Sequence, residues 1–400
     1  MSVTAPTGFR AAGVAAGLKA AGAPDLALVV NDGPVLAAAG VFTSNRVKAA
    51  PVLWSQQVLR GGQLRAVVLN SGGANACTGP QGFQDTHATA EHVAAVLSAG
   101  AVLSVGTVLS VGTAPVGAGE VAVCSTGLIG ERLPMDLLLP GVDSAAAALS
   151  DDGGYAAATA IMTTDTRPKA TVVWGEGFTV GGMAKGAGML APGLATMLVV
   201  LTTDAVADAA TLDAALRAAT RVTLDRLDSD GCMSTNDAVL LLASGASGTT
   251  PSAQALADAV TRACADLARQ LLGDAEGSTK DIAIEVTGAA TEADAVTVGR
   301  TVSRSNLVKT ALFGNDPNWG RILAAVGTTD AAFEPDQLDV AINGVWVCKG
   351  GAAAEDRSTV DLTGRDVTIT IALNAGAEAA TIWTNDLSLG YVHENSAYSS

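Results

Sequence analysis

Apolar residues along this 400-residue chain occur either in short uninterrupted runs or in longer segments with helical spacing. The short runs predict buried strands over 25–30, 35–41, 65–69, 121–126, 197–201, 238–243, 282–286, 339–348 and 367–373. The helical segments predict helices over 50–59, 83–98, 134–149, 154–162, 205–220 and 251–272. We expect Asn31-Asp32-Gly33-Pro34 to turn between the first two strands and Asp204 to cap the helix at 205. The alternation predicts an α/β (α+β) protein with layered sheets and helices outside.

One central segment, residues 185–201, changes character at Thr196. Before Thr196 it is rich in glycine and broken by Pro192, which excludes a regular helix or a central strand. After Thr196 five apolar residues predict a short buried strand. A hydroxyl where a permissive loop meets a fixed strand suits a nucleophile. The same pattern also fits a tight turn that enters a core strand, with no chemistry.

Composition and charge narrow the classes of partner. Hydrophobic residues make up 49% of the chain and aromatic residues only 4%, which predicts a large core of small side chains. The formal net charge of −16 argues against nucleic acid and against an anionic membrane surface. Residues 1–8 lack a signal-peptide pattern, and the most apolar run, 188–201, is too short and interrupted to span a bilayer. We therefore expect a cytoplasmic protein.

Cysteine and histidine usage limits the candidate chemistry. The five cysteines are scattered without CxxC spacing, which is typical of a reducing cytoplasm and predicts no metal site. Only three histidines are present, so a histidine-based triad has little to draw on. A nucleophile in this chain needs a different base.

A dinucleotide site is one interpretation of the central segment, because Gly186-x-Gly188-x-x-Ala191 fits the degenerate G-x-G-x-x-A pattern. That fingerprint requires a helix after the glycines, whereas here a strand follows. The pattern also recurs at residues 117–122, again before a strand. The match therefore carries little weight.

A second interpretation makes Thr196 a catalytic threonine served by its own amine. Cutting the Ala195–Thr196 bond would free an α-amine, whose pKa is ordinarily about 8, to accept the hydroxyl proton. The cut would be self-catalysed, by attack of the Thr196 hydroxyl on the Ala195 carbonyl and hydrolysis of the resulting ester. Nearby glycines permit the strained backbone that this requires. Lys185 could depress the pKa of the amine or bind a carboxylate, or it could be a solvated surface lysine.

Other polar clusters admit both functional and structural interpretations. Residues 70–79 could line a site or form a surface turn. Thr126 and Gly127, at a strand end, could present a hydroxyl and an N–H to a developing negative charge. The hydroxyls of residues 163, 164 and 166 could contact a substrate or cap their own backbone. A tandem hexapeptide at 102–113 is interpreted as a local duplication without function.

Residues 183–198 resemble the self-cleavage segment of the ornithine acetyltransferase family, the arginine biosynthesis bifunctional proteins. The likeness extends over nearly the whole chain and includes segments 8–14, 42–46, 70–79, 124–127, 160–166, 234–237, 309–321 and 395–399. Two features depart from the family pattern. Cys232-Met233 stands where the family usually has an acidic residue and a threonine, and the 102–113 tandem is foreign to it.

The resemblance implies a self-cleaving, DmpA-like fold of the N-terminal-nucleophile type. Its precursor would be cut between Ala195 and Thr196 into an α chain, 1–195, and a β chain, 196–400, that assemble as an α2β2 heterotetramer. The implied reaction is ping-pong: Thr196 takes acetyl from N2-acetyl-L-ornithine, and L-glutamate accepts it, in arginine biosynthesis. No cofactor is implied, although some family members also use acetyl-CoA as a donor.

The resemblance also assigns residues to roles. Thr126 and Gly127 would form the oxyanion hole. Substrate contacts would come from Thr163 or Thr164, Lys185, Thr196, Glu276, Asn395 and Ser400. A self-cleaving aminopeptidase or amidase, which transfers the acyl group to water, is the enzyme alternative. An uncut nucleotide-binding or structural protein is the other.

Overall fold

The computed structural model describes residues 2–19, 22–103, 115–189 and 197–397. Ala195, Thr196 and Ser400 therefore lie outside the described residues, as do residues 104–113 of the tandem.

Helices and strands alternate along the described chain. The strands are β1 (Phe9–Val14), β2 (Leu26–Asn31), β3 (Ala38–Phe42), β4 (Ala66–Ser71), β5 (Val121–Thr126), β6 (Lys169–Trp174), β7 (Thr179–Lys185), β8 (Leu198–Thr203), β9 (Ala238–Ala243), β10 (Asp281–Ala289), β11 (Asp339–Ile342), β12 (Val345–Lys349), β13 (Ala352–Ala353), β14 (Asp366–Ala372) and β15 (Glu378–Asn385). The helices are α1 (Ala50–Val58), α2 (Gly79–Leu103), α3 (Met135–Ala147), α4 (Gly154–Ala160), α5 (Ala209–Val222), α6 (Ala253–Leu272), α7 (Glu292–Ser303), α8 (Asn306–Phe313), α9 (Trp319–Val326) and α10 (Leu389–Ala397).

Two sheets form the layers around the site. A four-stranded sheet has the order β1-β2-β4-β5, and a five-stranded sheet has the order β3-β9-β8-β7-β6. Strand β8 explains how they stack, because successive side chains of a strand point to opposite faces. Leu198 and Val200 join a core shared with the four-stranded sheet and helices α1 to α4. Val199 and Leu201 face a second core, formed with α5 and α6. The apolar run after Thr196 is therefore a strand buried on both faces, as predicted.

The third sheet lies in the C-terminal half, in the order β13-β12-β11-β14-β10-β15. Its core packs against α7, α8 and α9. The segment that carries Glu276 leads into β10, and β15, which pairs with β10, leads into α10. The α/β architecture of layered sheets with flanking helices is thus confirmed.

Several sequence predictions about elements were wrong. Strands β2 and β3 are not a hairpin, because β2 pairs with β1 and β4 while β3 pairs with β9 in the other sheet. Asp204 caps no helix: its carboxylate accepts hydrogen bonds from the backbone N–H groups of Thr179 (2.7 Å) and Thr7 (3.1 Å). Asp208 caps α5 instead. Strands β6 and β7 and helix α7 were not predicted.

Among the helices of the described ranges, none has the length and apolar character needed to cross a bilayer.

Candidate active site

A cavity of about 320 Å³ opens where the C-terminal ends of β5 and β7 meet the turn after α4 and the loop before β10. Residues from eight separate stretches of the chain line it: Lys19, Gly72, Ala74, Thr126, Gly127, Leu128, Ile129, Thr163, Thr164, Lys185, Gly188, Met189, Ser234, Thr235, Asn236, Glu276 and Asn395. The set includes every site residue predicted from the sequence that lies within the described ranges.

Thr126 and Gly127 form one wall, at the end of β5. Gly127 has φ +128°, and a Cβ there would lie 2.5 Å from the Gly73 nitrogen, so only glycine fits. Ser125, which precedes this pair, is fixed as well, because its carbonyl accepts a hydrogen bond from Asn236 Nδ2 at 2.9 Å. A hydroxyl and a backbone N–H are thereby held at a rigid strand end, which is what an oxyanion hole requires.

Lys185, the last residue of β7, is 1% exposed. Its Nζ donates to Thr163 Oγ1 at 2.7 Å and to Thr126 Oγ1 at 3.2 Å, so it links two walls of the cavity. Burial lowers the pKa of Lys185, while the nearby carboxylate of Asp165 favours its charged form. The alternative that Lys185 is a solvated surface lysine is therefore wrong.

Behind Lys185 lies a buried network of opposite charges. Asp165 is 4.0 Å from Lys185 Nζ and 2.6 Å from Lys169 Nζ, and it accepts a hydrogen bond from the Gly186 N–H at 2.7 Å. Lys169 also pairs with Asp274 at 2.6 Å. Burial alone would raise the pKa of Asp165, but Lys185 and Lys169, with the hydrogen bonds, lower it to about 2. The network holds Lys185 and the start of the glycine-rich loop in place.

The three threonines after α4 divide into two groups. Thr163 and Thr164 line the cavity. Thr166 does not line it; both its N–H and its hydroxyl donate to the Asp274 carboxylate. The Thr166 hydroxyl therefore binds a distant carboxylate and does not cap its own backbone.

Glu276 and Asn395 form the opposite wall. Asn395 Nδ2 donates to Glu276 Oε2 at 2.9 Å, and the Glu276 N–H donates to the Ala187 carbonyl at 2.9 Å. A Cβ at Gly188 would lie 2.5 Å from a Glu276 carboxylate oxygen. The glycine-rich loop therefore provides the space in which this carboxylate reaches the cavity.

Strand β8 is tied to the cavity wall at the residue that precedes it. The Met197 N–H donates to Asp237 Oδ1 at 2.9 Å, and Asp237 directly follows three cavity residues, 234–236. Burial raises the pKa of Asp237 well above its usual range. Its Oδ2 has no hydrogen-bond partner among the described residues. The backbone N–H of Met197 is thus held at the cavity wall.

Some cavity residues were missed by sequence reasoning. Residues 70–79 and 234–237 were singled out as a loop and as part of the resemblance, and Gly72, Ala74 and Asn236 indeed face the cavity. Lys19 gave no signal, because it lies in a stretch of small residues.

Within the described residues, no group of three or more His, Cys, Asp or Glu side chains is arranged to hold a metal ion.

Hydroxyls, a buried lysine and a carboxylate around one cavity define a binding site for a small charged molecule in a layered α/β protein. Comparisons with known proteins indicate one family. The chain belongs to the ArgJ family, whose model matches residues 10–400.

Full-length relatives carry a consistent name. The chain is 67% identical over 400 residues to the arginine biosynthesis bifunctional protein ArgJ of Streptomyces coelicolor, and 63% identical over 399 residues to that of Thermobifida fusca, covering 100% of both chains in each case. Among solved structures it is similar to ornithine acetyltransferase complexed with ornithine from Mycobacterium tuberculosis. That comparison has 65% identity and a TM-score of 0.43, and it covers 48% of this chain and 94% of the other.

Proposed function

We propose that this chain is a glutamate N-acetyltransferase that moves acetyl from N2-acetyl-L-ornithine to L-glutamate in arginine biosynthesis. One observation carries the proposal: Thr126, Gly127, Lys185, Glu276 and Asn395 meet around one cavity in a chain that matches arginine biosynthesis bifunctional proteins over its full length.

The nucleophile of this proposal is Thr196, freed by cleavage of the Ala195–Thr196 bond. Its amine accepts the hydroxyl proton as the oxygen attacks the acetyl carbonyl of N2-acetyl-L-ornithine. The C–N bond then breaks, ornithine leaves with that proton on its amine, and an acetyl ester remains on Thr196. The neutral amine of L-glutamate attacks the ester, which restores the hydroxyl and gives N-acetyl-L-glutamate. Thr126 and Gly127 stabilise the oxyanion in both steps.

The charges of the donor substrate support its binding in this cavity. N2-acetyl-L-ornithine carries a carboxylate and a side-chain ammonium, for which Lys185 and Glu276 are partners of opposite sign. The buried network around Asp165 fixes Lys185, and the hydrogen bond from Asn395 fixes Glu276. Substrate would thus meet charges that are already oriented.

The proposal extends to processing and assembly. Chains 1–195 and 196–400 would assemble as an α2β2 heterotetramer, the first supplying the oxyanion hole and Lys185 and the second supplying Thr196 and Glu276. Residues on both sides of the Ala195–Thr196 bond line the described cavity, so neither proposed chain would form the site alone. We place the protein in the cytoplasm, where free thiols are usual, because its five cysteines are all unpaired.

A two-donor acetyl-transfer assay tests the proposed function. N2-acetyl-L-ornithine and acetyl-CoA are each supplied with L-glutamate to the wild type and to Thr196→Ala. We expect the wild type to transfer acetyl from N2-acetyl-L-ornithine to L-glutamate. Transfer from acetyl-CoA would add the second activity that the word bifunctional suggests in the names of the relatives. Thr196→Ala should abolish both the cut and the transfer. If Thr196→Ala is processed and active, the nucleophile assignment fails; release of acetate without glutamate would instead favour the amidase alternative.

A further inference from the structure

Lys19 lies at the cavity wall, on a loop that is built around a buried carboxylate. Four consecutive backbone N–H groups donate to Asp25: Ala16 at 2.6 Å, Gly17 at 3.1 Å, Leu18 at 2.6 Å and Lys19 at 3.0 Å. Asp25 is fully buried. A carboxylate that accepts this many hydrogen bonds fixes the loop, so the position of Lys19 is determined by the fold.

The ammonium group of Lys19 is only partly used by the protein. Its Nζ donates to the Met162 carbonyl at 2.6 Å and to the Pro24 carbonyl at 2.9 Å. An ammonium has three hydrogens to donate, and no third acceptor for Lys19 occurs in the described parts of the chain. Burial lowers the pKa of Lys19, whereas Asp25 favours its charged form. As far as the described residues are concerned, one N–H of the Lys19 ammonium is therefore left to bind a molecule in the cavity.

Lys19 and Lys185 hold adjacent residues of one turn. Lys19 bonds to the Met162 carbonyl, and Lys185 bonds to the Thr163 hydroxyl. Both lysines line the same cavity as Glu276. The described lining thus presents two ammonium groups and one carboxylate, one cation more than the donor substrate requires.

The two substrates of the proposed reaction differ in charge at their side-chain ends. N2-acetyl-L-ornithine has one carboxylate and one ammonium. L-Glutamate has a second carboxylate in place of that side-chain ammonium. In a ping-pong reaction one cavity must accept both, so a group of each sign is needed for the side-chain end.

We propose that Lys19 binds the side-chain carboxylate of the acceptor L-glutamate and so determines acceptor specificity. Lys185 then binds the α-carboxylate common to both substrates, and Glu276 binds the ornithine side-chain ammonium. This inference rests on the proposed acetyl transfer. It adds a residue that acts in the second half-reaction, transfer of acetyl to L-glutamate. The same residue has little effect on the first half-reaction, transfer of acetyl to Thr196.

The test compares wild type, Lys19→Met and Lys19→Gln in steady-state transfer, with KM measured separately for donor and acceptor. A charge-assisted hydrogen bond contributes about 1.5–3 kcal/mol, so KM for L-glutamate should rise about 10- to 150-fold. KM for N2-acetyl-L-ornithine should change less than about 3-fold, within the range of indirect effects. The preference for L-glutamate over L-glutamine as acceptor should fall by a similar factor, and Lys19→Arg should restore part of it.

Controls separate binding from folding. Lys349→Met, an exposed lysine on β12, should leave both KM values unchanged. Lys19→Gln retains N–H donors without the charge, and thermal melting shows whether each variant folds. Equal changes in both KM values, or an unchanged glutamate-to-glutamine preference in folded Lys19→Gln, would overturn the assignment while the wild-type activity stands. An inactive wild type would overturn the proposed function itself, and the Lys19 assignment with it.

Discussion

At the scale of single residues, Asp165 shows how the site is held. It faces two buried lysines and a backbone N–H. Removing one member of such a network leaves a buried charge without its partner. The consequence should be visible in both stability and pH dependence.

We predict that Asp165→Asn lowers the free energy of unfolding at neutral pH by about 3–5 kcal/mol. The pKa of Asp165 is about 2 in the fold against an ordinary 3.8. A depressed carboxyl pKa gives stability that is present above the ordinary value and is lost as pH falls through the folded value. The wild type should therefore lose this stability between pH 3.8 and about 2, and the variant should lack that component.

Denaturant unfolding at a series of pH values checks this prediction. The exposed Asp366→Asn, at the start of β14, is the matched control and should follow the wild type. An Asp165→Asn protein with wild-type stability and acid dependence would show that the buried network does not contribute as described.

Sequence could identify the site residues that carry distinctive motifs but not those placed by folding. Thr126, Lys185 and Glu276 were singled out through the resemblance to one family, and the structure brings all three to one cavity. Asp25, six residues further along the same loop, gathers the loop that carries Lys19. The contact of Lys19 Nζ with the Met162 carbonyl, 143 residues away, is set by folding and has no motif in the sequence.

At the scale of elements, helix α10 closes one side of the cavity without burying any of its own described residues. It is held by close backbone contact: a Cβ at Gly277 would overlap the backbone of Gly390 and Tyr391. The Ser388 hydroxyl donates to the Gly277 carbonyl, and Asn395 reaches Glu276. The docking of α10 therefore depends on two glycines.

We predict that Gly277→Ala displaces α10 and raises KM for N2-acetyl-L-ornithine by about 10-fold or more, because small displacements of binding groups are costly. Gly248→Ala is the matched control, since Gly248 has φ +69° against +61° at Gly277 but no atom within 4 Å of its added Cβ. Both variants share the backbone cost of about 1–2 kcal/mol. Hydrogen exchange over Leu389–Ala397 should increase only in Gly277→Ala; equal exchange in both would refute docking through this contact.

Element predictions failed where distant parts of the chain set the requirement. Strand β7 contains Gly181 and Gly182, which are unfavourable in strands. Gly181 is needed because a Cβ there would overlap the carbonyl of Ser2, a residue distant in sequence. Asp204 resembles a helix cap by sequence, but its carboxylate accepts a hydrogen bond from the Thr179 N–H and caps no helix. By contrast, β8 was predicted correctly, because a continuous apolar run is typical of a strand that is buried on both faces.

At the scale of the whole molecule, the site is assembled from both halves of the chain. Lys19, Thr126 and Lys185 precede the central segment or begin it, whereas Asn236 and Glu276 follow it. Strand β8 lies at the centre of the five-stranded sheet between β7 and β9. A chain cut just before β8 would keep these strand pairings, so cleavage would be compatible with an intact site.

The central claim is that acetyl passes through Thr196 as the first residue of a separate chain. The most direct measurement is the intact mass of denatured protein after brief exposure to N2-acetyl-L-ornithine, followed by peptide mapping. We predict two chains, 1–195 and 196–400, with one acetyl group on Thr196 that disappears when L-glutamate is added. Active protein that remains a single 400-residue chain, or that carries the acetyl group on another residue, would contradict this account.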